Sequence, residues 1–381
     1  MSTANDALQS VLGLTSARHE VPIARRNLLA DKVKFLAALG GVTLAVLLIL
    51  VVQSLYQGIK REYASFIDTL PGDAFVAQKG IGGIVFSNPF LSRTNASNVA
   101  TVPGVDAVHR LYGRMASFQV GGKEVSVYVW AVAPGGTLTP EQERTFPPRG
   151  AIIIDRSLAA REGLSPGDVV RYSGNPFVVA GVGPVGNVLL AQFGLIHPDD
   201  YALLFGNPSA KFLMVSLEPG AGTETLAEIA RRVPASAVYD RDQFVKVAQE
   251  PVNDFLPILR VVVVLSVIVG LAVLSLMVYS ATIERSREYG IMKVLGASSL
   301  RLYGIVLSQS AFIALVGFAA GVGLAIAFNR AAGDIAPEFV TYIRWQDVAA
   351  ALGVTVGMTL AAAYLPINRV ARVDPASVFR A

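Results

Sequence analysis

Residues 284–306 read ERSREYGIMKVLGASSLRLYGIV, a charged stretch set between two of the most apolar runs of the chain. A plain connection between two membrane helices needs only a few basic residues and a turn. Here the spacing is helical: Glu284 and Glu288 lie four apart, Arg285 precedes Glu288 by three, and Tyr289, Met292 and Lys293 follow on an adjoining face. Gly290 thins one side, Gly296 suits a left-handed helix stop, and Ser298 or Ser299 suits the cap of a following helix. The stretch predicts a short, rigid, amphipathic helix able to fit a groove on another protein. Retention of a basic loop on one side of a membrane accounts for Arg285 and Arg287 but gives no reason for Glu284, Glu288, Tyr289 or Met292.

The flanking runs set the fold class. Of 381 residues, 53% are hydrophobic and 16% charged, with a mean hydropathy of +0.51, more apolar than a soluble core of this size requires. Four uncharged runs, at 35–57, 261–283, 302–329 and 348–368, each reach the roughly 20 residues that cross about 30 Å of hydrocarbon. The expected fold is a membrane protein of four transmembrane α-helices, with a large α+β extracytoplasmic domain between the first and second spans. The first run is too long, and begins too far into the chain, for a cleavable signal peptide. With no cysteine, the external domain is held by its core alone and thiolate chemistry is excluded.

Lys and Arg near the span ends give the orientation. Arg18, Arg25, Arg26, Lys32 and Lys34 precede the first span, Arg285, Arg287, Lys293 and Arg301 lie in 284–301, and Arg369, Arg372 and Arg380 lie in the tail. The third and fourth spans are joined by a segment with only Arg330 and Arg344 against Asp334, Glu338 and Asp347. Both termini and the 284–301 segment are therefore expected in the cytoplasm of a multi-pass inner-membrane protein. Residues 58–254 carry 17 Lys/Arg against 19 Asp/Glu, so the chain's net charge of +4 comes from membrane topology and argues against a nucleic-acid partner.

The domain organisation follows. Residues 1–34 form a cytoplasmic N-terminus, and VPIARRNLLADKVKFLAALGG (21–41) suits a helix in the membrane interface before the chain turns into the bilayer, or else a plain basic flank of the first span. The first span is 35–57 and the external α+β domain 58–254, with a β-rich subdomain at about 145–195. A stalk and second span cover 255–283, the charged helix 284–301, the third span 302–329, a short external loop 330–347, the fourth span 348–368 and a cytoplasmic tail 369–381. Inside the external domain, SLAAREGLSPGDVVRYSGNPFVVAGV (157–182) reads as a helix ending at Gly163, a turn at 166–168 and two strands meeting at 173–176. GIGGIVFSNP (80–89) reads as a loop packed on its own domain, or else as one that touches lipid or a hydrophobic cargo.

Catalytic chemistry finds no foothold. His19, His109 and His197 are scattered, and the chain has no HExxH, GxSxG or Walker A loop, no metal-ligand spacing and no dinucleotide fingerprint. His197-Pro198-Asp199-Asp200 reads as a turn or helix cap. The span centres lack ionisable residues, against proton relays and intramembrane proteolysis. Gly317 and Gly321 form a Gly-x-x-x-Gly suited to close helix approach.

The stretch ERSREYGIMKVLGAS (284–298) resembles the signature of the last cytoplasmic loop of ABC-transporter permeases of the MacB/FtsX superfamily, with Tyr289 where an aliphatic residue is commoner and Val294 where alanine is common. IARRNLLADKVKFLAALGGVTLAV (23–46) is similar to that family's elbow helix and first span, and LPINRVARVDPASVFRA (365–381) to its C-terminus. TVPGVDAV (101–108) and SLAAREGLSPGDVV (157–170) look like parts of its periplasmic domain.

The resemblance implies a permease subunit of the split type, DevC-like or lipoprotein-release-like, that hydrolyses no ATP itself. It implies a second permease subunit, in a homodimer or heterodimer, a separate ABC ATPase that holds the ATP and Mg, a periplasmic adaptor or other external effector, and membrane lipid around the spans. Glu284, Arg285, Arg287, Glu288, Tyr289, Gly290, Met292, Lys293, Leu295 and Gly296 would form the ATPase-coupling helix, with Gly296 as its stop and Leu295 packed. Residues 56–66 and 255–259 would form the stalk of a mechanotransmission device that exports or extracts a hydrophobic or peptide-like substrate. A non-transporting signalling subunit of the same architecture, acting on a cell-wall hydrolase or sensor kinase, is the alternative. No catalytic, metal or directly bound cofactor residue is expected.

Overall fold

The computed structural model describes residues 32–81, 83–85, 91–136, 146–183, 192–206, 209–335 and 339–371. The interfacial helix expected before residue 32 and the tail from 372 onward lie outside the described residues. The chain divides into two compact units: a helical one of Met1–Ser54, Pro257–Asn329 and Ile343–Ala381, and an inserted one of Leu55–Leu256 with Arg330–Tyr342.

Among its described residues the helical unit contains four helices long and apolar enough to cross a membrane. α1 (Lys32–Thr69) has 38 residues, roughly 57 Å at 1.5 Å per residue and so nearly twice the hydrocarbon thickness. Its outer part belongs to the inserted unit. α8 (Leu256–Glu284), α10 (Ser299–Ile335) and α11 (Trp345–Ala371) are the others. The interior of this unit joins Val42, Val46 and Leu50 of α1 to Leu274 and Val278 of α8, Val306 and Ile313 of α10, and Ala351 and Ala362 of α11. Lipid supplies no hydrophobic force between helices, so small residues and internal polar contacts decide the packing. Val42 and Val46 press on Gly317 and Gly321, Thr43 donates to the Gly317 carbonyl at 3.3 Å, and Ser54 donates to Asn329 Oδ1 at 3.2 Å.

Among the described residues the inserted unit has nine strands: β1 (Ala74–Gln78), β2 (Val105–Val120), β3 (Lys123–Ala133), β4 (Ala151–Asp155), β5 (Val169–Tyr172), β6 (Asn175–Gly183), β7 (Gln192–Ile196), β8 (Phe212–Leu217) and β9 (Ser236–Asp240). They run in the order β3-β7-β4-β6-β5-β2-β8-β1-β9, and pairing of β2 with β3 closes the first six into a ring. β2 makes this possible by its length: residues 105–111 pair with β8, while 110–120 pair with β3. The ring encloses Phe118, Val127, Val129, Ile152, Ile154, Phe177 and Val179. The β-rich region is thus wider than 145–195, because the β2–β3 hairpin supplies two of its walls.

The remaining strands carry helices on both faces. α2 (Arg93–Ala100) and α5 (Thr223–Arg232) contribute Val99 and Ile229 to one core. On the other, Tyr63, Phe66 and Ile67 from the outer part of α1 join Trp130, Phe193, Phe212 and Phe244. Phe66 lies 5.3 Å from Trp130 and 5.9 Å from Phe193, centroid to centroid. Ile81, Ile84 and Val85 are buried in the same core, which settles the described part of the 80–89 stretch as a loop packed on its own domain. α3 (Arg156–Glu162) begins at buried Asp155, which accepts from Ser157 N at 2.7 Å, Leu158 N at 3.0 Å and Phe193 N at 2.6 Å. α4 (Pro198–Phe205) is capped by His197, whose Nδ1 accepts from Asp199 N at 3.2 Å. α6 (Arg241–Ala248) and α7 (Glu250–Asp254) lead into α8.

Candidate functional site

The charged stretch folds as α9 (Ser286–Val294), between the end of α8 at Glu284 and the start of α10 at Ser299. It ends as its glycine predicts. Gly296 has φ +92°, and its N–H reaches Lys293 O at 3.1 Å while Ala297 N reaches Met292 O at 2.9 Å, the bond pair of a Schellman stop. Arg301 N then donates to Ser298 O at 3.0 Å as α10 opens.

One face of α9 faces inward. Tyr289 is only 2% exposed and Gly290 is buried, with Met292 half-buried beside them. Burial pushes the Tyr289 hydroxyl above its ordinary pKa. Tyr289 therefore anchors the helix and is not part of its free surface. Arg285 bridges to Glu288 at 3.7 Å, and Glu284 is ion-paired to Lys34 at the start of α1.

The outward face is apolar with a charged edge. Ile291 is 45% exposed, Val294 47% and Leu295 80%, and they follow exposed Arg287 and Glu288 at the intervals of three and four that align side chains on a helix. Sequence reasoning misassigned two features here. Leu295, expected to pack, is free because the Gly296 stop turns the chain away before another turn can cover it. Ile291 and Val294 were missed because, read alone, they look like core positions; the signal was their spacing from Glu288.

No second site competes for chemistry among the described residues, where no group of three or more His, Asp or Glu is placed to hold a metal. The one Ser–His contact among the described residues is also the wrong way round. Gly135 N–H donates to His109 Nδ1 at 3.3 Å, so the opposite nitrogen carries the proton toward Ser216 Oγ at 3.1 Å and has no lone pair to activate the hydroxyl.

The described architecture is a long first helix, an inserted α+β domain, three further apolar helices and a short outward-facing helix between the second and third of the four. The MacB-like periplasmic core domain matches residues 35–233 and the FtsX-like permease C-terminal domain matches residues 260–375. The chain belongs to the MacB/FtsX superfamily of ABC-transporter permeases. It is 24% identical over 230 residues to an uncharacterized ABC transporter permease of Methanocaldococcus jannaschii, covering 56% of this chain and 57% of that one. It is 22% identical over 366 residues to an uncharacterized ABC transporter permease of Mycobacterium tuberculosis, covering 93% and 98%. The crystal structure of the periplasmic region of MacB from Actinobacillus actinomycetemcomitans aligns at 11% identity over 48% of this chain and 95% of that one, with a TM-score of 0.33.

Proposed function

We propose that this chain is the permease subunit of a split ABC transporter in which α9 is the contact for a separate ATPase. The observation that carries this reading is the Ile291, Val294 and Leu295 strip, edged by Arg287 and Glu288, on a helix anchored through Tyr289. An exposed apolar strip with a charged rim is the usual make-up of a protein-docking face. Because only Arg285 separates α9 from α8 and the stop at Gly296 leads within a few residues into α10, a push on α9 is delivered to both helices.

In this reading α9 and both termini lie in the cytoplasm, as the Lys and Arg distribution favours, and the inserted domain is extracytoplasmic. ATP and Mg are held by the partner ATPase, with no cofactor on this chain. A second permease subunit completes the complex, with a periplasmic adaptor or other external effector. The motion passes along α1 and the 255–259 segment as a stalk, a mechanotransmission cycle that exports or extracts a hydrophobic or peptide-like substrate. The outward row Pro176, Val178, Ala180 and Val182 of β6, with Val169 opposite Val178, supports a hydrophobic ligand for the outer domain.

The test is ATP hydrolysis by the complex reconstituted in liposomes. Ile291→Asp should lower the permease-dependent rate several-fold. A rate equal to wild type would overturn the assignment of α9.

A further inference from the structure

The outer part of α1 is tied to the segment that leads into α8 by a run of polar contacts, all within the inserted unit. At its end, Arg241 donates from Nη1 to Ile67 O at 2.7 Å and from Nη2 to Leu70 O at 3.0 Å, with Gly72 O as a further acceptor. Ile67 lies in the last turn of α1, where its carbonyl also accepts from Leu70 N at 3.1 Å, and Leu70 and Gly72 follow the helix end; a cation there faces the partial negative charge of the helix C-terminus. Lower down, Gln249 Nε2 donates to Lys60 O at 2.9 Å. Lower still, Tyr56 OH donates to Asn253 Oδ1 at 2.8 Å. The contacts descend α1 from 70 to 56 while the partner segment rises from 241 to 253, so the two run antiparallel.

Arg241 is itself held. Asp240 and Gln243 form a capping box around it, with Gln243 N donating to Asp240 Oδ1 at 2.7 Å. Its guanidinium lies 5.5 Å from the Phe75 ring, which stacks on Phe244 at 4.3 Å. β1, β9 and α6 therefore converge on the residue that grips the end of α1. On another side of α1, the segment between α10 and α11 closes in. Gly58 lies so near Val340 that a Cβ there would stand 2.0 Å from its carbonyl oxygen, and Arg61 lies over Tyr342 at 4.5 Å.

We infer that Arg241 is a positioning residue that fixes the C-terminal end of α1 to β9 and α6, making the outer part of α1 the driving shaft of the inserted domain. This rests on the mechanotransmission reading above. Lysine at 241 keeps the charge but cannot fork to separate carbonyls, and alanine keeps neither. Without the fork, α1 can turn or slide against the sheet, and displacement arriving along it is lost.

The chain has no cysteine, so Lys123→Cys and Leu300→Cys give a unique pair of spin-label sites in the full-length protein. The 123–300 distance is measured by pulsed electron resonance in the complex with its ATPase, without nucleotide and with ATP plus vanadate. Wild type should show a nucleotide-dependent shift. Arg241→Ala should lose at least two-thirds of it while the ATPase still co-purifies and hydrolyses ATP, and Arg241→Lys should recover part. Hydrogen exchange of amides 66–70 should quicken in Arg241→Ala, whereas the amides of 36–50 should not change. A wild-type shift retained in full by Arg241→Ala, even with a lowered Tm, overturns the role of Arg241 alone. No shift in wild type overturns the mechanotransmission reading and this inference with it.

Discussion

Val46 of α1 fills the space that a side chain on Gly321 of α10 would need: a Cβ at position 321 would stand 2.7 Å from the Val46 Cβ and 2.9 Å from the Thr43 carbonyl oxygen. One turn earlier, Gly317 meets Val42 in the same way. The backbone of α10 thereby approaches α1 closely enough for Thr43 to reach the Gly317 carbonyl. Gly321→Val should destabilise the helical unit by about 1–3 kcal/mol through overpacking, read as a lower Tm in detergent. Gly323→Ala, with open space around it, should leave the Tm unchanged.

The two faces of α9 should respond differently to mutation. Tyr289→Ala empties a buried site and should cost about 3 kcal/mol of stability. Leu295→Asp alters an exposed side chain and should stay within about 0.5 kcal/mol of wild type. Thermal unfolding of the two purified variants separates anchor from surface; equal losses would contradict the assignment of the faces.

Asp155 joins three backbone donors across α3 and β7, with Ser157 Oγ as a further donor. Burial raises its pKa, and those hydrogen bonds pull against the rise. Asp155→Ala leaves buried N–H groups unpaired and removes a helix cap, so it should cost about 2–4 kcal/mol. Asp155→Asn should fall between, since only one of its atoms accepts. Denaturant titration of the full chain gives the comparison.

The inserted domain should lose stability in mild acid. Burial lowers the His109 pKa, against an opposing pull from Asp106, and the neutral ring is needed to accept from Gly135. The folded form thus takes up its proton at lower pH than the unfolded form, whose pKa is about 6.5. Its contribution is full above that value and falls as pH drops from about 6.5 toward the lowered folded pKa. The Tm should decline over that window in wild type and less steeply in His109→Gln; identical slopes would show that His109 is not the cause.

Much of this was readable from local chemistry. Charge-free length gives the four spans, Gly296 gives the end of α9, and Ser173-Gly174 gives the turn between β5 and β6, because each depends on neighbours in the chain. What the sequence did not disclose depends on distant partners. The ring of strands needs β2 to pair with both β3 and β5, while its first half pairs with β8 outside the ring. The first helix outruns its apolar stretch because Tyr63, Phe66 and Ile67 are buried against the sheet, a tertiary reward for continuing past the span. Tyr289 and Leu295 exchanged their expected places for the same reason: a single helix pattern marks an apolar face but does not say whether this chain or another covers it.

The most direct test of the central claim is affinity purification of the tagged full-length chain from gently solubilised membranes, in wild type, Glu288→Arg and Leu295→Asp. The account predicts an ABC ATPase with wild type, strongly depleted in both variants at equal permease yield. No ATPase with wild type, or undiminished recovery with both variants, would contradict it.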